Sequence, residues 1–116
     1  MNYSRFVDNF KVSNICYGTW NLSRSTKKFP SPGSFNKRQS IKLINFAKNS
    51  GINFFDTADI YGEGQGEKIL GEALKSCRKE NFIITKGGLM NKPTQTVIAE
   101  AGPELAIPLE KTPEII

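Results

Sequence analysis

A chain of 116 residues has room for one domain, and 38% apolar with 23% charged residues suits a soluble globular chain rather than a disordered one. No apolar run nears the roughly 20 residues that span a bilayer, and the opening MNYSRFVDNFK lacks the apolar stretch of a secretory signal, so a cytoplasmic protein without a membrane partner is expected. The formal charge of +5 is uneven, with nine Lys or Arg against Asp8 alone in the first fifty residues, but these are scattered without interleaved aromatics, which favours a solvated basic surface over a nucleic-acid partner.

Residues 3–7 and 10–13 flank Asp8-Asn9, a pair that tolerates the positive φ of a two-residue hairpin turn. Residues 14–17 read as a first core strand ending in Gly18-Thr19-Trp20. Glycine at a strand tip allows close approach of a ligand to the backbone. Residues 23–36 (SRSTKKFPSPGSFN) form a long loop, either a pocket rim or simply mobile, with Lys27 and Lys28 able to meet a cofactor phosphate but expected in solvent. Asn36 can cap a helix over 37–49 that places Ile41, Ile44 and Ala47 on one face, and Gly51 can end it in the left-handed conformation.

The most informative stretch follows, GINFFDTADIYGEGQGEKILG. Residues 52–55 have the content of a buried strand, Asp56 falls at its end, and Tyr61 comes after a short polar segment. Gly62, Gly64 and Gly66 punctuate a loop before a helical pattern that starts at Glu67, in which Ile69, Leu70, Ala73, Leu74 and Cys77 make one apolar stripe. GEGQG does not follow a first strand as a dinucleotide fingerprint does, so it is read as a turn rather than a phosphate cradle. Residues 81–85 supply a third apolar strand, ending in Lys86-Gly87-Gly88.

Alternation of strand and helix argues an α/β architecture with a parallel sheet. All three strands then carry polar residues at the carboxyl edge, where barrel enzymes build their sites. Neighbouring strands lie about 4.8 Å apart, so Asp56 and Lys86 can pair, with Tyr61 reaching over the same spot. Spacing alone supports an acid–base cluster, or else a turn-forming Asp and a surface Lys. Cys16 and Cys77 have no metal-ligand spacing and there is no histidine, so both are expected as buried reduced thiols with no metal site.

Asp56-Thr57-Ala58, then Tyr61-Gly62 and the EKILGEAL helix, resemble the aldo/keto reductase signature, and the resemblance covers about residues 12–90. It implies an N-terminal hairpin closing the bottom of a partial (β/α)8 TIM barrel, here about three parallel strands and two helices. It further implies an oxidoreductase that reduces a small aldehyde or ketone with NADP(H), or NAD(H). In that scheme Tyr61 protonates the carbonyl oxygen, Lys86 and Asp56 support it, and Gly18, Thr19, Trp20 and Asp56 flank the cofactor. A free tyrosine titrates near about pH 10, and a neighbouring ammonium makes the hydroxyl a better acid. The family's catalytic group also includes a histidine on the fourth strand, which this sequence lacks.

After Met90 the composition shifts, with four of the six prolines at 93, 103, 108 and 113. Residues 1–90 are therefore read as a truncated reductase domain and 91–116 as an irregular or edge-pairing tail of different origin. Residues 100–109 (EAGPELAIPL) resemble the EAGPE-type motif near the end of phage tail tape-measure proteins. The alternative to a reductase fragment is thus a non-enzymatic fragment or a fusion with a phage tail-like segment. Substrate, cofactor preference and oligomeric state are not legible.

Overall fold

The computed structural model describes residues 1–6, 8–28, 30–31 and 35–87, together with the backbone of 104–108. Strands β1 (Tyr3–Arg5) and β2 (Lys11–Ser13) form an antiparallel hairpin in the register Arg5↔Lys11. Asp8 and Asn9 both take positive φ, 51° and 64°, as expected. The turn is longer than a two-residue connection, because Phe6 N–H bonds Phe10 C=O and three residues lie between them. Val7 lies outside the described residues.

The first core strand, β3, is only Tyr17–Gly18; residues 14–16 bend instead of extending it. Trp20 opens a single 3-10 turn, Trp20–Leu22. Helix α1 (Lys37–Asn49) matches the expected span, because Asn36 Oδ1 accepts from Gln39 N–H while Gln39 Oε1 accepts from Asn36 N–H, a reciprocal capping box. Gly51, at φ 97°, ends it. Strand β4 (Phe54–Asp56) follows, one residue longer than expected at its carboxyl end and two shorter at its start. A 3-10 segment, Tyr61–Gly64, leads into α2 (Gln65–Leu74), which then tightens into a 3-10 stretch, Lys75–Glu80. Cys77 breaks that stretch at φ −136°, so it lies beyond α2, yet it still packs half-buried against the same apolar cluster as Ile69, Leu70, Ala73 and Leu74.

Strand β5 (Phe82–Gly87) completes the expected set, and β6 (Glu104–Pro108) adds a fourth. The main sheet is parallel in the order β3-β4-β5-β6 and is open, not a closed barrel. Part of the expected tail therefore pairs along β5, from Ile83↔Glu104 to Gly87↔Pro108. Gly88 to Met90 and residues 91–103 and 109–116 lie outside the described residues.

One face of the sheet carries α1 and α2. Leu22, Ile44, Ala47, Phe55, Ile69, Leu70, Ala73, Leu74 and Ile83 make a single buried cluster, and burying each large member contributes about 1.5–3 kcal/mol. The amino ends of β4 and β5 are covered by the hairpin. Phe6 lies 5.3 Å from Phe54 and 5.2 Å from Phe82, ring centre to ring centre, and Phe10 lies 5.7 Å from Phe82. This is the bottom-closing role expected of it.

Asn53 ties the two sheets together: its Oδ1 accepts from Ser13 N–H at 2.7 Å and its Nδ2 donates to Lys11 C=O at 2.9 Å. Asn53→Ala is expected to cost about 1–3 kcal/mol, read as a lower urea midpoint, and to speed hydrogen exchange at the Ser13 amide. An unchanged midpoint with Ser13 still protected would show the hairpin to be held by its aromatic rings alone.

Candidate functional site

Side chains alternate across the sheet, and this decides what meets at its carboxyl edge. Phe55, Ile83 and Thr85 point to the helices and are fully buried. Phe54, Asp56, Phe82, Ile84 and Lys86 fall on the opposite face, the one that the hairpin rings cover at its lower end. Asp56 pairs with Ile84 in the register, so Lys86 stands two residues further up the same face.

Lys86 Nζ donates to Asp56 Oδ1 at 2.5 Å, and both side chains stay partly open, at 21% and 33% exposure. The same ammonium sits 5.8 Å from the centre of the Tyr61 ring. The Trp20 ring lies 6.5 Å from that of Tyr61, tilted by 31°. Asp56, Tyr61, Lys86 and Trp20 thus converge on one rim. The lysine stands over the face of the phenol ring, a cation–π arrangement.

Thr19 fixes the tip of β3 to β4, since both its N–H and its Oγ1 donate to Asp56 C=O, at 3.0 and 2.9 Å. Gly18 is paired with Asp56, and a Cβ built on it would meet nothing within 4 Å, so the backbone there is open to a ligand. Of the expected cofactor-side residues, Thr19 is buried, whereas Gly18 and Trp20 are exposed.

The Tyr61 loop reaches its place through a tight turn. Gly62, Glu63 and Gly64 have φ of 60°, 55° and 95°. At Gly66 an added Cβ would come within 2.6 Å of Ser23 Oγ and 3.0 Å of Tyr61 Cβ, so α2 starts hard against the loop after β3 only because that residue is glycine. A cleft of about 400 Å³ opens beside Tyr61, lined by Trp20, Lys28, Pro30, Ile60 and Tyr61. Asp56 and Lys86 do not line it. A larger groove of about 600 Å³, bordered by Arg24, Phe35, Lys37 and Gln65, touches none of the expected site residues.

Cys16 is exposed and Cys77 half-buried, which corrects the expectation of two buried thiols. The cause is the late start of β3, which leaves Cys16 in a bend on the Asp56 side. Its thiol is pushed up to about 11, by desolvation of the sulfur first and then by the Asp56 carboxylate, with Lys86 pulling the other way. Glu67, read from sequence only as a helix start, is buried and accepts from Thr85 Oγ1 at 2.5 Å, anchoring β5 one residue before Lys86. An acidic residue on the apolar side of the α2 pattern was the available signal for it. The fourth strand, where the resemblance places a histidine, reads Glu-Leu-Ala-Ile-Pro.

Comparison with known proteins gives a consistent picture. The model of the aldo/keto reductase family matches residues 14–104, a span that runs past the composition change at Met90. A probable aldo-keto reductase 1 of Glycine max is 34% identical over 100 residues, covering 82% of this chain and 26% of that protein. A 6-dehydroglucose reductase of Novosphingobium aromaticivorans is 35% identical over 88 residues, covering 68% and 26%. In three dimensions the holo form of an aldo-keto reductase from Bacillus halodurans superposes with a TM-score of 0.61 at 25% identity, over 74% of this chain and 26% of that one. The chain spans about a quarter of the length of these relatives. These matches lend no support to the tape-measure resemblance of residues 100–109.

Burial is the first cause of the raised pKa of Glu67; the Thr85 hydroxyl opposes it and the Asp59 charge adds to it. A carboxyl whose folded pKa lies above its unfolded value contributes stability that is fully present below the unfolded pKa and is lost as pH rises through the folded pKa. Glu67→Gln is therefore expected to shrink the loss of stability between about pH 4.5 and neutrality, measured by urea unfolding at both. A variant with the same pH dependence as the parent would show that this group does not titrate with folding.

Proposed function

Because the chain belongs to the aldo/keto reductase family, we propose that it carries the acid–base part of an NAD(P)H-dependent site that reduces small aldehydes or ketones. The observation that carries this reading is the Lys86 ammonium, which bonds Asp56 Oδ1 at 2.5 Å and stands over the Tyr61 ring, 5.8 Å from its centre. The residues at the tip of β3 fit a nicotinamide: Gly18 leaves open space above the backbone and Trp20 is half exposed. When bound, the reduced cofactor supplies a hydride to the carbonyl carbon.

The chain's own groups do the rest. Tyr61 Oη gives its proton to the carbonyl oxygen, so that hydride and proton together yield the alcohol, and solvent returns a proton to the phenolate. The Lys86 ammonium stabilises the negative charge left on the tyrosine, and Asp56 holds that ammonium in place. Thr19 holds the Asp56 backbone through its two hydrogen bonds, which fixes the strand tip that carries the carboxylate. Two free cysteines support a reducing, cytoplasmic setting.

A second reading, in which this segment binds cofactor without turning over, is favoured by the cleft beside Tyr61, which Asp56 and Lys86 do not line.

Fluorescence titration with NADPH and loss of NADPH absorbance with a panel of aldehydes separate the two. On the first reading Tyr61→Phe lowers the rate by about 100-fold or more and leaves NADPH binding intact. Equal rates for both proteins would remove Tyr61 from the chemistry. Saturable binding without turnover in either supports the second reading, and a flat titration of the folded chain sinks both.

A further inference from the structure

The segment that carries Tyr61 is tied to β5 at both of its ends. On the upstream side Asp59 N–H donates to Lys86 C=O at 2.9 Å. On the downstream side Thr85 Oγ1 donates to Glu67 Oε1 at 2.5 Å, and both residues are buried, at 0% and 6% exposure. Glu67 lies in the first turn of α2, directly after Gly66, whose backbone packs so closely on Tyr61 that an added Cβ would come within 3.0 Å of the Tyr61 Cβ. Thr85 directly precedes Lys86. The contacts therefore close a circuit: Tyr61 to Gly66, Glu67 to Thr85, and Lys86 back to the Tyr61 ring at 5.8 Å.

The Asp59 tie is a backbone bond that does not depend on its side chain, whereas the Glu67 tie depends on two side chains. A carboxyl on the apolar side of a helix costs free energy that its neighbours Ile69 and Leu70 do not incur. An unbranched apolar residue would fill the same place without that cost, so packing alone does not account for a glutamate there. Glu67 accepts from Thr85 in either protonation state, because a neutral carboxyl keeps a carbonyl oxygen. The bond joins α2, against which the Tyr61 loop leans, to the strand whose next residue is Lys86.

We propose that Glu67 and Thr85 form a cross-brace that sets the separation of Lys86 from Tyr61, acting from the helix side of the sheet while the ion pair with Asp56 acts from the open side. The proposal rests on the assignment of Tyr61 as proton donor and of Lys86 as its support. It makes Glu67 and Thr85 positioning residues, buried on the face opposite the groups that move the proton.

Glu67→Met combined with Thr85→Val removes both partners and leaves neither orphaned in the core, a change expected to keep the urea midpoint close to that of the parent. The readout is the ε-methylene proton resonance of Lys86 in the full 116-residue chain, identified as the one lost in Lys86→Arg. Standing over an aromatic ring, that methylene is expected upfield of the other lysines in the parent and in Thr85→Ser, which keeps the hydroxyl. In the double variant it is expected back among them. Where aldehyde turnover is measurable, the double variant is expected to lose about tenfold in kcat with KM little changed. A folded double variant whose Lys86 resonance stays where it is in the parent overturns the proposal. So does a Thr85→Ser variant that loses the shift as fully as the double variant, because the hydroxyl would then not be the cause. If the double variant does not fold, Thr85→Val alone against Thr85→Ser decides the same question by the same resonance. The resonance needs no turnover, which separates the brace from the chemistry: equal rates for the parent and Tyr61→Phe sink the proton-transfer assignment, whereas the brace fails only with the Lys86 shift.

Discussion

Everything at the site depends on how β4 lies against β5. Phe55 sits opposite Ile83, and both are fully buried against the helices. A slip of either strand by one residue would turn its own buried residue outward and drive Asp56 or Lys86 into the apolar cluster, where an unscreened charge is costly. The hydrophobic pattern thus sets the register, and the register sets the ion pair. Asp56 and Lys86 meet because this register keeps both on the face away from the core.

The sheet divides its two ends between different tasks. At the amino ends, the rings of Phe6, Phe10, Phe54 and Phe82 pack within 6 Å of one another and the hairpin is tied down by Asn53. At the carboxyl ends the polar groups collect, and the backbone there is positioned by hydrogen bonds from loops: Thr19 to Asp56, Thr57 to Ile84, Asp59 to Lys86. This polarity is the general arrangement of barrel enzymes, with stability residues below and chemistry above. The positive-φ turn at residues 62–64 and the close approach at Gly66 fold the Tyr61 loop back over that upper edge.

Much of this could be read from local pattern. Helix α1 is legible to the residue because an Asn cap at one end and a glycine at the other are local signals with a local cause. Asp56 and Lys86 were legible as strand-end residues because apolar runs stop at them. Other features were not legible, because their causes lie far away in the chain. The two-residue length of β3 is set by how little of it β4 pairs with, and so Cys16 ended exposed. The fourth strand draws its order from the edge of β5 and not from its own proline-bearing sequence. Glu67 gave no sign of contacting Thr85, eighteen residues on, because that contact exists only once α2 lies on the sheet.

By itself the sequence determined the two helices and the two central strands, which end of those strands is polar, and which residues are able to do acid–base chemistry. Those properties follow from periodicity, capping and side-chain chemistry, all confined to a few neighbouring residues. Only the tertiary structure decided that the lysine stands over the tyrosine ring, that a threonine locks the aspartate's backbone, and that a cleft opens beside the tyrosine. Each of these needs groups tens of residues apart to be brought within a few ångströms, and that is fixed by strand register and by the packing of helices on the sheet.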